Sequence, residues 1–133
     1  MWSSPAISPA NPRLAAGVDA IEIARIQAAL NRFGDRFLRR IYTEREQRYC
    51  RGRAEELAAR FAGKEAISKA LGTGMRGVLW RELEVLNDPR GKPTVHLHGA
   101  AAARARELGL TTFEISLTHS RELAIAFVVA TAD

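Results

Sequence analysis

The chain has 133 residues, 47% of them hydrophobic and 26% charged, which suits one soluble globular domain with a real core and is too short for two ordinary ones. No apolar run approaches the ~20 residues that span a bilayer, and the start lacks the basic and apolar regions of a secretory signal. The net charge of +5 is modest, and the single cysteine, Cys50, cannot form an internal disulfide and fits a reducing compartment. A cytoplasmic protein without a membrane segment is expected.

Residues 1–13 hold three of the five prolines and read as a disordered leader, leaving 14–133 as the domain. A short apolar run over 14–18 ends at Asp19. Ile23, Ile26, Leu30 and Phe33 then fall on one helical face, closed by Gly34. Thr43-x-x-Glu46 is a capping-box pattern that starts a second, short helix. A third, longer helix covers about 53–71 and ends at Gly72-Thr73-Gly74. In the second half, 81–87 and 94–98 read as strands joined by the turn Asp88-Pro89-Arg90-Gly91. The alanine- and arginine-rich stretch 99–108 reads as a helix. Alternation over 112–118 and the apolar run 123–130 read as a hairpin of strands. The fold class is α+β: a single domain with helices in the first half packed on an antiparallel sheet.

Charge is uneven along this layout. Between Arg25 and Arg53 lie nine arginines against three acids, so that window carries +6 and the remainder −1. Arginine accounts for 17 of the 20 basic residues, which suits forked recognition of carboxylates or phosphates. Such a face either draws an acidic partner or is a solvated helical surface.

Several residues are candidates for chemistry. Asp19, between a strand and a helix and followed by Glu22 in a capping-box-like spacing, reads by itself as an N-cap. On the long helix Ala58, Ala59, Ala62, Gly63, Ala66 and Ala70 share a sector of about 140° at ~100° per residue, a face that lets another backbone approach closely. Glu65 and Lys69 lie at the edge of that sector, four residues apart, and Arg60 and Lys64 form a neighbouring stripe. The pattern admits solvated i,i+4 ion pairs. It equally admits a carboxylate among cations, able to place a metal on a polyphosphate. Gly72-Thr73-Gly74 reads as a C-cap or as a loop offering N–H groups to an anion. No P-loop is present, because Lys64 is mid-helix and G-x-x-x-x-G-K-[ST] is absent. His119 ends a strand on the face of Phe113, Ile115 and Leu117. His96 and His98 lack a third ligand at zinc spacing, and Cys50 lacks a nearby histidine.

Gly17-Val18-Asp19 with Arg25, Arg60-Phe61-Ala62-Gly63-Lys64-Glu65-Ala66 running into Lys69-Ala70-Leu71-Gly72-Thr73-Gly74, Gly91-Lys92-Pro93 and Ser116-Leu117-Thr118-His119 together resemble the signatures of the small bacterial 4′-phosphopantetheinyl transferases, the holo-acyl-carrier-protein synthases. The resemblance covers about residues 14–130. Ala15 and Gly63 depart from the usual glycine and alanine, and the leader is extra.

The resemblance implies a magnesium-dependent transfer of 4′-phosphopantetheine from coenzyme A to a serine of apo-acyl-carrier protein, within fatty acid biosynthesis. It implies Asp19 and Glu65 as Mg²⁺ ligands, Glu65 as base and Lys69 at the departing phosphate. Arg60, Lys64, Gly72, Thr73, Gly74 and His119 would bind coenzyme A. The acidic carrier would dock on Arg25, with Arg32, Arg36 and Phe37 beside it. A homotrimer with shared active sites is also implied. A different class of answer is a nucleic-acid-binding module, with the basic window's arginines on phosphates and Phe33, Phe37, Tyr42 and Tyr49 as stacking platforms.

Overall fold

The computed structural model describes residues 13–132, so the leader expected over 1–13 lies, but for Arg13, outside the described residues. The order of elements is β1 (Leu14–Glu22), α1 (Ile23–Phe33), α2 (Asp35–Ile41), α3 (Glu44–Cys50), α4 (Ala54–Ala70), β2 (Leu83–Asn87), β3 (Pro93–Leu97), α5 (Gly99–Leu108), β4 (Thr112–His119) and β5 (Leu123–Thr131). The α+β class holds. The strands form two antiparallel sheets rather than one, a three-stranded β1-β5-β4 and the hairpin β2-β3.

One boundary moved and one helix was added for physical reasons, while the strands expected over 81–87 and 94–98 form as Leu83–Asn87 and Pro93–Leu97. The apolar run at 14–18 continues as strand through Glu22, because β1 pairs with β5 along its whole length, Asp19 opposite Ala126 and Glu22 opposite Leu123. Asp19 therefore lies within a strand and is no helix cap; the N-cap of α1 is Glu22, without a side-chain cap bond. The sequence reading assigns nothing to 35–41, where α2 forms after Gly34 turns the chain with φ 54°. Ile41 is buried there and Phe37 and Leu38 pack partly on the core, so a helical face existed after the break. The capping box of α3 forms as expected: Thr43 Oγ1 accepts from Glu46 N at 3.2 Å, and Thr43 N donates to Glu46 Oε1 at 2.9 Å.

The long helix α4 runs across the inner face of the three-stranded sheet. Its six small residues are all buried, and they let β1 come close. A Cβ on Gly17 would fall on the Ala66 carbonyl oxygen and 3.0 Å from Ala70 N. On β5, Ala124, Ala126, Val128 and Ala130 point into this core, while Leu123, Ile125 and Phe127 point outward and are exposed. Val18 of β1, opposite Phe127, is exposed on the same outer face. That face is apolar where a sheet against water is ordinarily polar.

Candidate active site

The inner face of β1 and the edge of α4 meet at a charged cluster. Asp19 follows Gly17 on the buried side of β1, so the strand's close approach to Ala66 brings its carboxylate to the helix edge that carries Glu65 and Lys69. Lys69 Nζ donates to Asp19 Oδ1 at 3.1 Å and to the Val18 carbonyl at 3.0 Å. The i,i+4 pair that sequence spacing offers Lys69 is thus replaced by a pair with a residue from another element. Partial burial raises the Glu65 carboxyl above its ordinary range, the Asp19 charge raises it further, and Lys69 and Arg25 pull it back. Asp19, Glu65, Lys69 and Arg25 therefore form one electrostatic unit drawn from β1, α4 and α1.

A carboxylate raised by burial and by the charge of a second carboxylate, with exposed cations nearby, makes an environment that favours a proton or a hard cation. The elevated proton affinity of Glu65 also suits it to general-base work.

Arg60 heads a second group. It is 1% exposed, and its guanidinium carbon lies 4.4 Å from the ring centroid of Tyr49. Nη2 donates to Asn87 Oδ1, and Nη1 makes long contacts of 3.4 and 3.5 Å with the carbonyl and carboxylate of Glu56. Tyr49, Glu56, Asn87, Pro93, Leu117 and His119 line a pocket of about 180 Å³ beside it. Alternation on β4 persists to His119, which ends on the face of Leu117. Tyr49 appears in the sequence only as one aromatic among arginines, and Asn87 carries no local signal at all; both reach the pocket through tertiary packing.

The structure takes Lys64 out of the expected set. It is fully buried, and its three donors go to Glu46 Oε1 at 2.7 Å, the Trp80 carbonyl at 3.1 Å and the Leu83 carbonyl at 3.0 Å. Burial lowers its pKa and the Glu46 carboxylate opposes that. Glu46 also accepts from Val85 N at 2.8 Å, so the pair ties α3 and α4 to β2. Glu46 and Lys64 are structural partners, and no donor of Lys64 is left for a ligand.

The turn at 72–74 is likewise different from the anion loop its composition suggests. Gly72 N donates to the Lys69 carbonyl at 3.0 Å, and Thr73 N and Gly74 N to the Ser68 carbonyl at 3.1 and 3.2 Å. Thr73 Oγ1 lies 2.7 Å from the Gly74 carbonyl. Gly72, Thr73 and Gly74 thus cap α4, with Gly72 and Gly74 at positive φ, and their N–H groups face the helix end.

The residues expected to dock a partner lie along the outer side of α1 and α2. Arg25, Arg32 and Arg36 are exposed, with the Arg32 guanidinium 5.1 Å from the Phe33 ring. Beside them Phe33, Arg36, Phe37, Arg40, Phe61 and Trp80 enclose about 390 Å³, with Phe61 stacked on Trp80 at 4.7 Å. Tyr42 is no stacking platform: it is buried, and its hydroxyl donates to the Leu57 carbonyl at 2.7 Å. Cys50 is buried and its thiol is pushed up to about 12, chiefly by burial. His98 faces Glu84 at 3.0 Å and His96 faces Thr94 at 2.9 Å, so the two histidines diverge.

Comparison with known proteins covers nearly the whole described chain. The family model of the 4′-phosphopantetheinyl transferase superfamily matches residues 15–128. A holo-[acyl-carrier-protein] synthase of Herpetosiphon aurantiacus is 54% identical over 123 residues, covering 87% of this chain and 97% of its own. The crystal structure of the Helicobacter pylori holo-[acyl-carrier-protein] synthase in complex with coenzyme A superposes with a TM-score of 0.80 at 29% identity, over 87% of this chain and 99% of that one. A Bacillus anthracis holo-(acyl-carrier-protein) synthase in complex with CoA (3′,5′-ADP) gives 0.73 at 37% identity, over 90% and 96%.

Proposed function

The chain belongs to the 4′-phosphopantetheinyl transferase superfamily, and from that premise we propose how its residues carry out the transfer. It moves the 4′-phosphopantetheine group from coenzyme A to a serine hydroxyl of apo-acyl-carrier protein and leaves adenosine 3′,5′-bisphosphate, as its holo-[acyl-carrier-protein] synthase relatives and their coenzyme A complexes support. The observation that carries the mechanism is the cluster of Asp19, Glu65 and Lys69 at the junction of β1 and α4.

The serine oxygen attacks the phosphorus that bears pantetheine. The bond from that phosphorus to the bridging oxygen breaks, and the nucleotide departs with the bridging oxygen. Glu65, its proton affinity raised by burial and by Asp19, takes the serine proton. Lys69, held at Asp19 by a 3.1 Å contact and half-exposed, is placed to neutralise or protonate the leaving phosphate. The paired carboxylates of Asp19 and Glu65 fit Mg²⁺, which is satisfied by one or two protein carboxylates with substrate phosphates and water. When bound, the ion supplies charge compensation and orientation for the diphosphate.

The remaining assignments follow the same geometry. His119, which lines the 180 Å³ pocket, and Arg60, held behind it by Tyr49 and Asn87, receive the nucleotide end of coenzyme A. Arg25 receives the acidic carrier, with Arg32, Arg36 and Phe37 extending that face beside the aromatic pocket on α2. Arg60 and Glu65 leave α4 about 140° apart, so one donor molecule is best accommodated between two copies. The exposed apolar face of Val18, Ile125 and Phe127 gives such copies a surface to join, in support of a homotrimer with shared sites. A cytoplasmic location rests on the single cysteine and on the absence, among the described residues, of a helix long and apolar enough to cross a membrane.

Incubation with coenzyme A, Mg²⁺ and an apo-carrier, followed by mass spectrometry of the carrier, tests the reading. A phosphopantetheine adduct that disappears on chelation of the divalent ion is expected. A folded enzyme that leaves a competent carrier unmodified would refute it.

A further inference from the structure

Arg60 is a buried cation with too little negative charge around it. The nearest carboxylate oxygen, Glu56 Oε1, is 3.5 Å away, and Nε has no hydrogen-bond partner among the described residues. A charge removed from water is stable only when paired and hydrogen-bonded. The guanidinium is nevertheless held firmly: the Tyr49 ring lies over it at 4.4 Å and Asn87 Oδ1 takes Nη2.

Tyr49 is itself pinned. It sits in the last turn of α3, whose C-cap Arg51 takes the left-handed conformation at φ 48°. Arg53 donates to the Tyr49 carbonyl at 2.7 Å and to the Cys50 carbonyl at 2.9 Å, with its guanidinium 5.5 Å from the same ring. Helix end, ring and guanidinium form a stack whose open side is the pocket lined by Asn87, Leu117 and His119.

We propose that Tyr49 is a positioning residue that sets donor specificity, holding the Arg60 guanidinium flat under its ring so that its edge meets the phosphomonoester at the nucleotide end of the donor. This rests on the transferase reading above. A compact phosphate dianion is the charge that the buried guanidinium lacks, and the planar fork of arginine suits it. The diphosphate is the less fitting occupant, because Asp19, Glu65 and Lys69 serve it from another side of α4.

Initial rates with coenzyme A and with 3′-dephospho-coenzyme A, at saturating carrier, test this. Tyr49→Ala is expected to raise KM for coenzyme A about fivefold to tenfold, the size of a cation–π contact at a partly desolvated site. Its KM for the dephosphorylated donor, which loses the ring at the pocket wall but has no phosphomonoester to be met, rises by a smaller factor, so the preference between donors narrows. Tyr49→Phe keeps the ring and the preference. Tyr49 is 40% exposed, so its removal leaves the fold standing, and the thermal unfolding midpoint verifies that. An equal rise in KM for both donors, or none for either, overturns the inference while transfer itself still stands. Failure of the wild-type protein to transfer from either donor overturns the transferase reading as well.

Discussion

The roles proposed for Asp19 and Glu65 depend on their lying together. Each alone has an ordinary explanation, a cap or half of a surface pair, and the strand register removes the first while the Lys69–Asp19 contact removes the second. Burial and the Asp19 charge raise the proton affinity of Glu65, a cost that a bound cation offsets. Asp19→Asn and Glu65→Gln are therefore each expected to reduce transfer by about a hundredfold or more, the scale of losing a general base or an ion-binding group. The thermal midpoint of Glu65→Gln should match or exceed that of the wild type, since burial and the Asp19 charge disfavour the ionised Glu65. Asp19→Asn also gives up the Lys69 ion pair and should stay within a few degrees of the wild type. Carrier modification by mass spectrometry beside thermal unfolding checks both halves, and substantial transfer by either variant would dismiss that residue. Lys64 shows the opposite case: its cationic stripe was legible, but whether the amine met solvent or Glu46 was decided by the packing of α3 against α4.

At the scale of elements, the small-residue face of α4 governs the site. Gly17 lets β1 approach until a Cβ would strike the Ala66 carbonyl, and that approach carries Asp19 to Glu65 two residues later in the strand. Gly17→Ala is expected to cost about 2 kcal/mol or more, because helix backbone cannot yield as a side chain can. Gly63→Ala is the informative contrast. Its Cβ would meet side-chain tips, Ile115 at 3.2 Å, Val85 at 3.4 Å and Leu117 at 3.5 Å, and the helix interior gains about 1 kcal/mol from losing a glycine. Chemical denaturation of both variants checks this ordering, with Gly63→Ala close to wild type; equal costs would show that backbone approach is not the constraint. The small-residue sector was readable from the sequence as a close-packing surface. Which strand packs there was not, because helix periodicity describes a face and never its partner.

At the scale of the whole molecule, the three-stranded sheet buries one apolar face on α4 and leaves the other uncovered. Phe127, Ile125 and Val18 lie next to one another across β5 and β1, and Phe127 is 48% exposed. A patch of this kind on a small domain marks an interface. Phe127→Glu is expected to convert the proposed trimer into monomers in sedimentation velocity, with loss of transfer in proportion if donor sites lie between copies. A wild-type protein that sediments as a monomer, or a variant that stays trimeric, would separate this face from assembly.

The sequence by itself determined the α+β class, the long helix with its small-residue face, the two hairpins and the motifs whose joint order points to the transferase family. These are local or periodic features, set by neighbours a few residues apart. Tertiary structure alone decided that Asp19 is a strand residue facing Glu65, that Lys64 is a buried partner of Glu46, and that the N–H groups at 72–74 close α4. It also placed Tyr49 over Arg60. Each of these depends on which distant groups compete for the same donor, carboxylate or patch of surface, and that competition is resolved only when the elements pack.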